Sequence, residues 1–205
     1  MPFNANEFRK QLKNGGARPN QFQIELMTAP SSFTSAAGSG NAMSSFTYMT
    51  NAADLPGSVI GTIPVPYFGR FINVAGDRMF EDWTCAIYCD EDFIIRNAFE
   101  SWNNSMSFLN FDTFKEHGAS AETTDKYTSN IKVSHYTKTG KVDKIYILHN
   151  AFPYVVSPVQ LSWQANDQVM MFEVTWKYDY FTTNFNAYSK NEISTTDVDA
   201  SARRE

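Results

Sequence analysis

The chain has little of what chemistry at a protein site usually needs. It holds only two cysteines and three histidines among 205 residues. No G-x-S-x-G elbow is present to raise a nucleophilic serine, and no glycine-rich loop follows a strand to cradle phosphate. His117 falls in an irregular stretch, while His135 and His149 fall on or beside hairpin strands, where a structural role suffices. Cys85 and Cys89 are spaced C-x-x-x-C; on one strand they share a face about 13 Å apart at ~3.3 Å per residue. That is beyond the ~7 Å a disulfide spans, and without further thiols the pair makes no zinc site. Both read as buried apolar residues made in a reducing cytoplasm. No run of about 18 apolar residues predicts a membrane span, and charges within residues 1–13 replace the apolar core of a secretory leader. A soluble chain is expected, with no catalytic residue, cofactor or metal.

What is abundant is aromatic surface. Seventeen Phe, ten Tyr and four Trp make up 15% of the chain, a composition that favours strands. At this length roughly 70% of the unfolded surface can be buried, so one core needs no metal or disulfide. The net charge of −5 argues against a nucleic-acid reader. The carboxylates Glu81, Asp82, Asp90, Glu91 and Asp92 lack the spacing of a calcium loop. Gly76-Asp77-Arg78 reads as a tight turn with a local ion pair.

Periodicity predicts a short helix over residues 4–14 and a strand over 22–26. The Ser/Gly/Ala-rich stretch 28–41 reads as a loop, 46–49 as a strand and 51–57 as a link. Strands are expected over 59–65 and 70–74, broken by Pro64, Pro66 and Gly69. Another spans 83–89. Asp90-Glu91-Asp92 then opens a helix whose Ile95, Ala98, Phe99 and Trp102 form one apolar stripe. Residues 107–128 are irregular; 129–136 and 144–148 form a hairpin about a turn at 138–141. Residues 169–181 alternate strictly, predicting one long half-buried strand. The expectation is a mainly β (α+β) domain over 1–181, an antiparallel β-sandwich or open barrel with one packed central helix. Segments 28–45 and 108–128 are its irregular insertions, and 182–205 is a polar C-terminal extension.

Several stretches in collinear order resemble the tail tube family of contractile-tailed phages. They are Arg18-Pro19 with Phe22; Ile63-Pro64-Val65-Pro66 through Gly76-Asp77-Arg78; Asp82-Trp83-Thr84; Phe152-Pro153; Trp163 with Asn166-Asp167; and Phe172-Glu173-Val174-Thr175 with Asp179-Tyr180-Phe181. The resemblance implies hexameric rings that stack into a hollow tube inside a contractile sheath, with sheets of six copies joined into a continuous inner β-barrel. It implies as partners the chain itself, tail sheath, tape measure, baseplate and tail terminator proteins. Phage DNA would pass through the lumen without specific binding, and no membrane anchor is implied. Location would be the virion tail, with assembly in the host cytoplasm. Glu173 and Asp179 are expected to face the lumen, with Lys177 between them as an offset. Ala52, Asp54, Leu55 and Gly57 are expected in an inter-ring loop. The insertions and the C-terminal extension depart from the family pattern. A baseplate tube initiator and the tube of a related injection or secretion machine share this expectation; a ligand-binding β-sandwich is the reading from another class.

Overall fold

Alternating apolar residues can be buried only where strands find partners, and most of this chain's alternating stretches do so in one antiparallel body. A computed structural model describes residues 5–12, 15–36, 41–106 and 127–184. In chain order the elements are α1 (Ala5–Gln11), β1 (Phe22–Leu26), α2 (Ser31–Ala36), α3 (Ala42–Met49), β2 (Thr50–Ala53), β3 (Ser58–Tyr67) and β4 (Arg70–Phe80). Then follow β5 (Trp83–Tyr88), α4 (Ile94–Met106), β6 (Ser129–Tyr136), β7 (Val142–Val156), β8 (Met171–Lys177) and β9 (Tyr180–Thr183). Seven strands share one sheet path, β1-β6-β7-β8-β5-β2, with β9 against β7; β3 and β4 form a separate ribbon. Mostly antiparallel β with packed helices is the class expected. Among the described residues no helix is long and apolar enough to cross a membrane.

The sheet turns a corner along β7. Its first half pairs with β6 and β9, and its second half pairs with β8. Asn150 at the bend takes a positive φ of 55°, and a register shift follows at Pro153/Val155. The same corner divides the long strand expected over 169–181. β8 keeps the alternation, burying Phe172, Val174 and Trp176. At Asp179 the backbone N–H donates to the His149 carbonyl at 3.1 Å, and the chain swings into β9. Alternation alone carries no information about such a bend, because side chains keep alternating through it.

Aromatic rings fill the interior. Phe99 lies within 6.3 Å, centroid to centroid, of Phe33, Phe46, Trp102, Phe172 and Trp176, so one side chain joins three helices to the sheet. The expected stripe Ile95, Ala98, Phe99 and Trp102 is buried on α4. The carboxylates 90–92 precede that helix rather than entering its first turn, which contains no acidic residue. Cys85 is buried and Cys89 half-buried, both as free thiols. Burial pushes the Cys85 thiol up to about 12, opposed by the hydrogen bond its sulfur accepts from Trp176 Nε1 at 3.3 Å.

Two expectations fail in the first quarter of the chain. The stretch 28–41 contains α2, started by Pro30, whose carbonyl accepts from the Phe33 and Thr34 N–H groups. Phe33 is fully buried against Phe99 and Trp102. The strand expected over 46–49 is the end of α3: Asn41 accepts the Ser44 N–H as its cap, and Ala42 and Phe46 are buried at i and i+4. A four-residue window is too short to separate the two periods. The central helix therefore packs with two companions. Over 59–65 and 70–74 the strands are longer than expected, and β3 runs through Pro64 and Pro66. The expectations for 107–126 and 185–205 lie outside the described residues.

Phe33→Ala should lower the unfolding free energy by about 3–5 kcal/mol, the usual cost of truncating a buried Phe, measured by denaturant unfolding. A loss below about 1 kcal/mol would place α2 outside the core.

Candidate assembly surfaces

The β3–β4 ribbon departs from the body. β2 and β5 pair within the sheet, the chain leaves through residues 54–57, and it returns directly into β5. The root is fastened: Trp83 Nε1 donates to the Asp54 carbonyl at 2.6 Å, Pro56 is buried, and Phe80 packs on Tyr178 and Phe181. Burial, with Asp82 and Glu81 nearby, holds the Tyr178 phenol above its ordinary range. At the far end Phe68 and Gly69 take φ of 45° and 76°, the paired positive angles of a type I′ turn.

Beyond the root, no other described strand pairs with the ribbon. The register Ile63↔Val74, Val65↔Ile72 and Val59↔Met79 places these side chains, with Tyr67, on one face. Every one of the seven is between 43% and 60% exposed, and Phe68 at the tip is 90% exposed. A two-stranded ribbon is marginal in water. Burying what is still exposed would gain roughly half of the ~1.5–3 kcal/mol that full burial of such a side chain is worth. A long apolar face held in solvent marks a contact surface.

The Gly76-Asp77-Arg78 motif lies inside this ribbon and not in a tight turn. Ile60↔Arg78 and Thr62↔Ala75 leave Gly76 and Asp77 opposite Gly61, a β-bulge. A Cβ on Gly76 would meet the Gly61 carbonyl oxygen at 3.2 Å, so a side chain there would press on the β3 backbone. The described ion pairs do not include Asp77 with Arg78.

The other expected residues separate into groups. Glu173 and Lys177 share the exposed face of β8. Lys177 pairs with Asp82 at 2.5 Å and lies over the Tyr154 ring, whereas none of the described ion pairs includes Glu173. Asp179 lies past the end of β8, at the corner, where it accepts from Asn150 Nδ2 at 2.7 Å. Ala52 pairs with Ala86 within β2, the last strand of the sheet path, while Asp54 and Leu55 line a cavity of about 470 Å³ together with Arg18, Pro19, Phe22 and His135. Gly57 is exposed just before β3. Trp83 is core, Phe152 packs on Tyr127, and Pro153 is buried at the shift in β7. Trp163 is fully exposed between β7 and β8. Sequence reasoning missed the ribbon's apolar face because the prolines read as breaks. The signal was there in Val59, Ile63, Val65, Ile72 and Val74 at spacings of two and four.

Residues 17–184 match the family described as phage tail tube protein. The chain is 32% identical over 166 residues to the tail tube protein gp19 of Enterobacteria phage T4, spanning 80% of this chain and 90% of that protein. It is 24% identical to the tail tube protein of Serratia phage KSP90, over 84% of this chain and 93% of that one. Among solved structures, the fold is similar to the tube-terminating cap of the anti-feeding prophage, with a TM-score of 0.54 at 15% identity, covering 82% and 89% of the two chains. It is also similar to the sheath/tube terminator of an extracellular contractile injection system, with a TM-score of 0.52 at 14% identity, covering 80% and 92%.

Gly76→Ala should disturb the ribbon and spare the body. Hydrogen exchange should accelerate at β3 and β4 amides while global stability stays within about 0.5 kcal/mol, as for substitutions outside the core. Unchanged exchange would show that the bulge tolerates a side chain.

Proposed function

The chain belongs to the phage tail tube protein family and is a structural tube subunit of the virion tail; from that premise we propose that six copies close into a ring and that rings stack into the tube. The observation that carries this reading is the β3–β4 ribbon, an exposed apolar face and two outer strand edges that no other described strand pairs with. Open edges are a liability unless a partner completes them. A second copy is the partner a tube supplies. Contacts between unlike surfaces repeat until rotation closes a ring, and a second set repeats along the axis. The sheets then join into one inner β-barrel.

The work of such a tube is passage. Duplex DNA carries one charge per about 1.7 Å of its axis. A lysine repeated in every subunit would hold it, since even a solvated contact gains ~1 kcal/mol. We place the exposed face of β8 toward the bore. There Asp82 neutralises Lys177 and leaves Glu173 as net negative charge, with screening limiting its reach to about 8 Å. Asp179, held by Asn150, contributes less to that lining than its place in the sequence suggests. Outside the bore, the tube would meet a contractile sheath; at its ends, baseplate and terminator proteins; within it, a tape measure protein during assembly in the host cytoplasm.

For stacking we propose the link around Ala52, Asp54, Leu55 and Gly57. Removing residues 52–57 would take away half of β2 and the acceptor of Trp83 Nε1, so deletion would damage the fold itself. Leu55, 53% exposed, permits a milder test.

Electron microscopy of the purified protein should show hollow tubes or six-membered rings; a monomer at high concentration would refute the reading. Leu55→Asp should leave rings but shorten or abolish tubes, and long tubes would remove the link from the stacking contact. Tubes of Glu173→Lys should retain duplex DNA at low salt and release it as salt rises, unlike the parent. Equal retention by both in a filter-binding assay would take Glu173 out of the bore.

A further inference from the structure

The two long edges of the β3–β4 ribbon are not equivalent, and proline makes the difference. Pro64 lies opposite Asn73 and Pro66 opposite Phe71. Because proline has no N–H, it fits a paired strand only where its nitrogen points away from the partner. These two pairs are therefore the non-hydrogen-bonded ones, and Ile63, Val65 and Tyr67 carry the bonds to β4. The turn agrees: Tyr67↔Arg70 closes a two-residue loop, where the flanking pair is bonded. At Pro64 and Pro66 the outer edge of β3 thus presents carbonyls without donors. On β4, Phe71 and Asn73 direct both N–H and C=O outward, and Ala75, opposite Thr62, has the same parity.

We propose that a second copy of this chain joins the ribbon along the outer edge of β4, and that the outer edge of β3 is closed to strand addition. The inference rests on the tube reading and adds its direction. An added strand needs alternating donors and acceptors along its length; β4 supplies them from Phe71 to Ala75, whereas β3 lacks the donors at Pro64 and Pro66. The partner edge belongs to a different strand of the neighbouring copy. Pairing β4 with β4 would be a two-fold contact that ends in a dimer, and a ring requires unlike edges. Each subunit then offers β4 to one neighbour only, which gives ring closure a single sense.

Hydrogen exchange on wild-type protein, monomer against assembled tube, is the first test. The amides of Phe71, Asn73 and Ala75 should slow on assembly by about two orders of magnitude or more, and that of Thr62 should not. Three variants follow. Asn73→Pro removes one outward donor and should stop assembly with the monomer still folded. Asn73→Ala keeps that donor and should assemble. Thr62→Pro removes a donor from the closed edge and should also assemble. Assembly by Asn73→Pro, its loss in Thr62→Pro, or unprotected β4 amides in the tube would overturn the edge assignment and leave the tube standing. Should Asn73→Pro fail to fold, the exchange measurement decides alone. Wild-type protein that forms no ring or tube would overturn the tube reading itself, and this inference with it.

Discussion

Backbone polarity is the constraint on which the molecule turns. Every strand edge carries N–H and C=O groups that need partners, and the body satisfies most of them by joining seven strands in one sheet that turns a corner. The β3–β4 ribbon is left over. Its two strands bond to each other, no other described strand pairs with its outer edges, and its apolar face is exposed among the described residues. A fold that finishes itself would have covered this arm. One that is finished by copies of itself must leave it out.

An arm of this kind is useful only if its direction is fixed, and the aromatic interior provides that. Trp83 begins β5 within the core and donates its indole N–H to the Asp54 carbonyl at the point where the ribbon departs. Phe80, the last residue of β4, packs on Phe181 and Tyr178 at the corner where β8 gives way to β9. The ribbon's angle is thus set by the same corner that bends the sheet. Phe99, gathering rings from α2, α3, β8 and its own helix, holds the layers on which the root rests. Packing of this density resists continuous deformation, which suits a subunit repeated many times in register.

Charge is arranged with similar economy. Lys177, the cation on the exposed face of β8, is committed to Asp82 and to the Tyr154 ring. On that face a neutral pair stands beside Glu173, which none of the described ion pairs includes.

Sequence alone determined the periodic parts: β1, β5, β6, the buried face of β8 and the apolar stripe of α4. It also carried the family, since the motifs occur in collinear order whatever the fold does with them. Period is a local property, and these elements bury side chains by local rules. Tertiary structure decided what depends on distant partners. Phe33 makes a helix of a Ser/Gly/Ala-rich stretch because Phe99 and Trp102 are there to receive it. Residues 171–183 divide between two strands because β7 bends beside them. Pro64 and Pro66 terminate nothing, since each faces a side of β3 with which no other described strand pairs. A strand break and a strand edge look alike in sequence, because proline removes the same N–H in both; only the position of the neighbouring strand tells them apart.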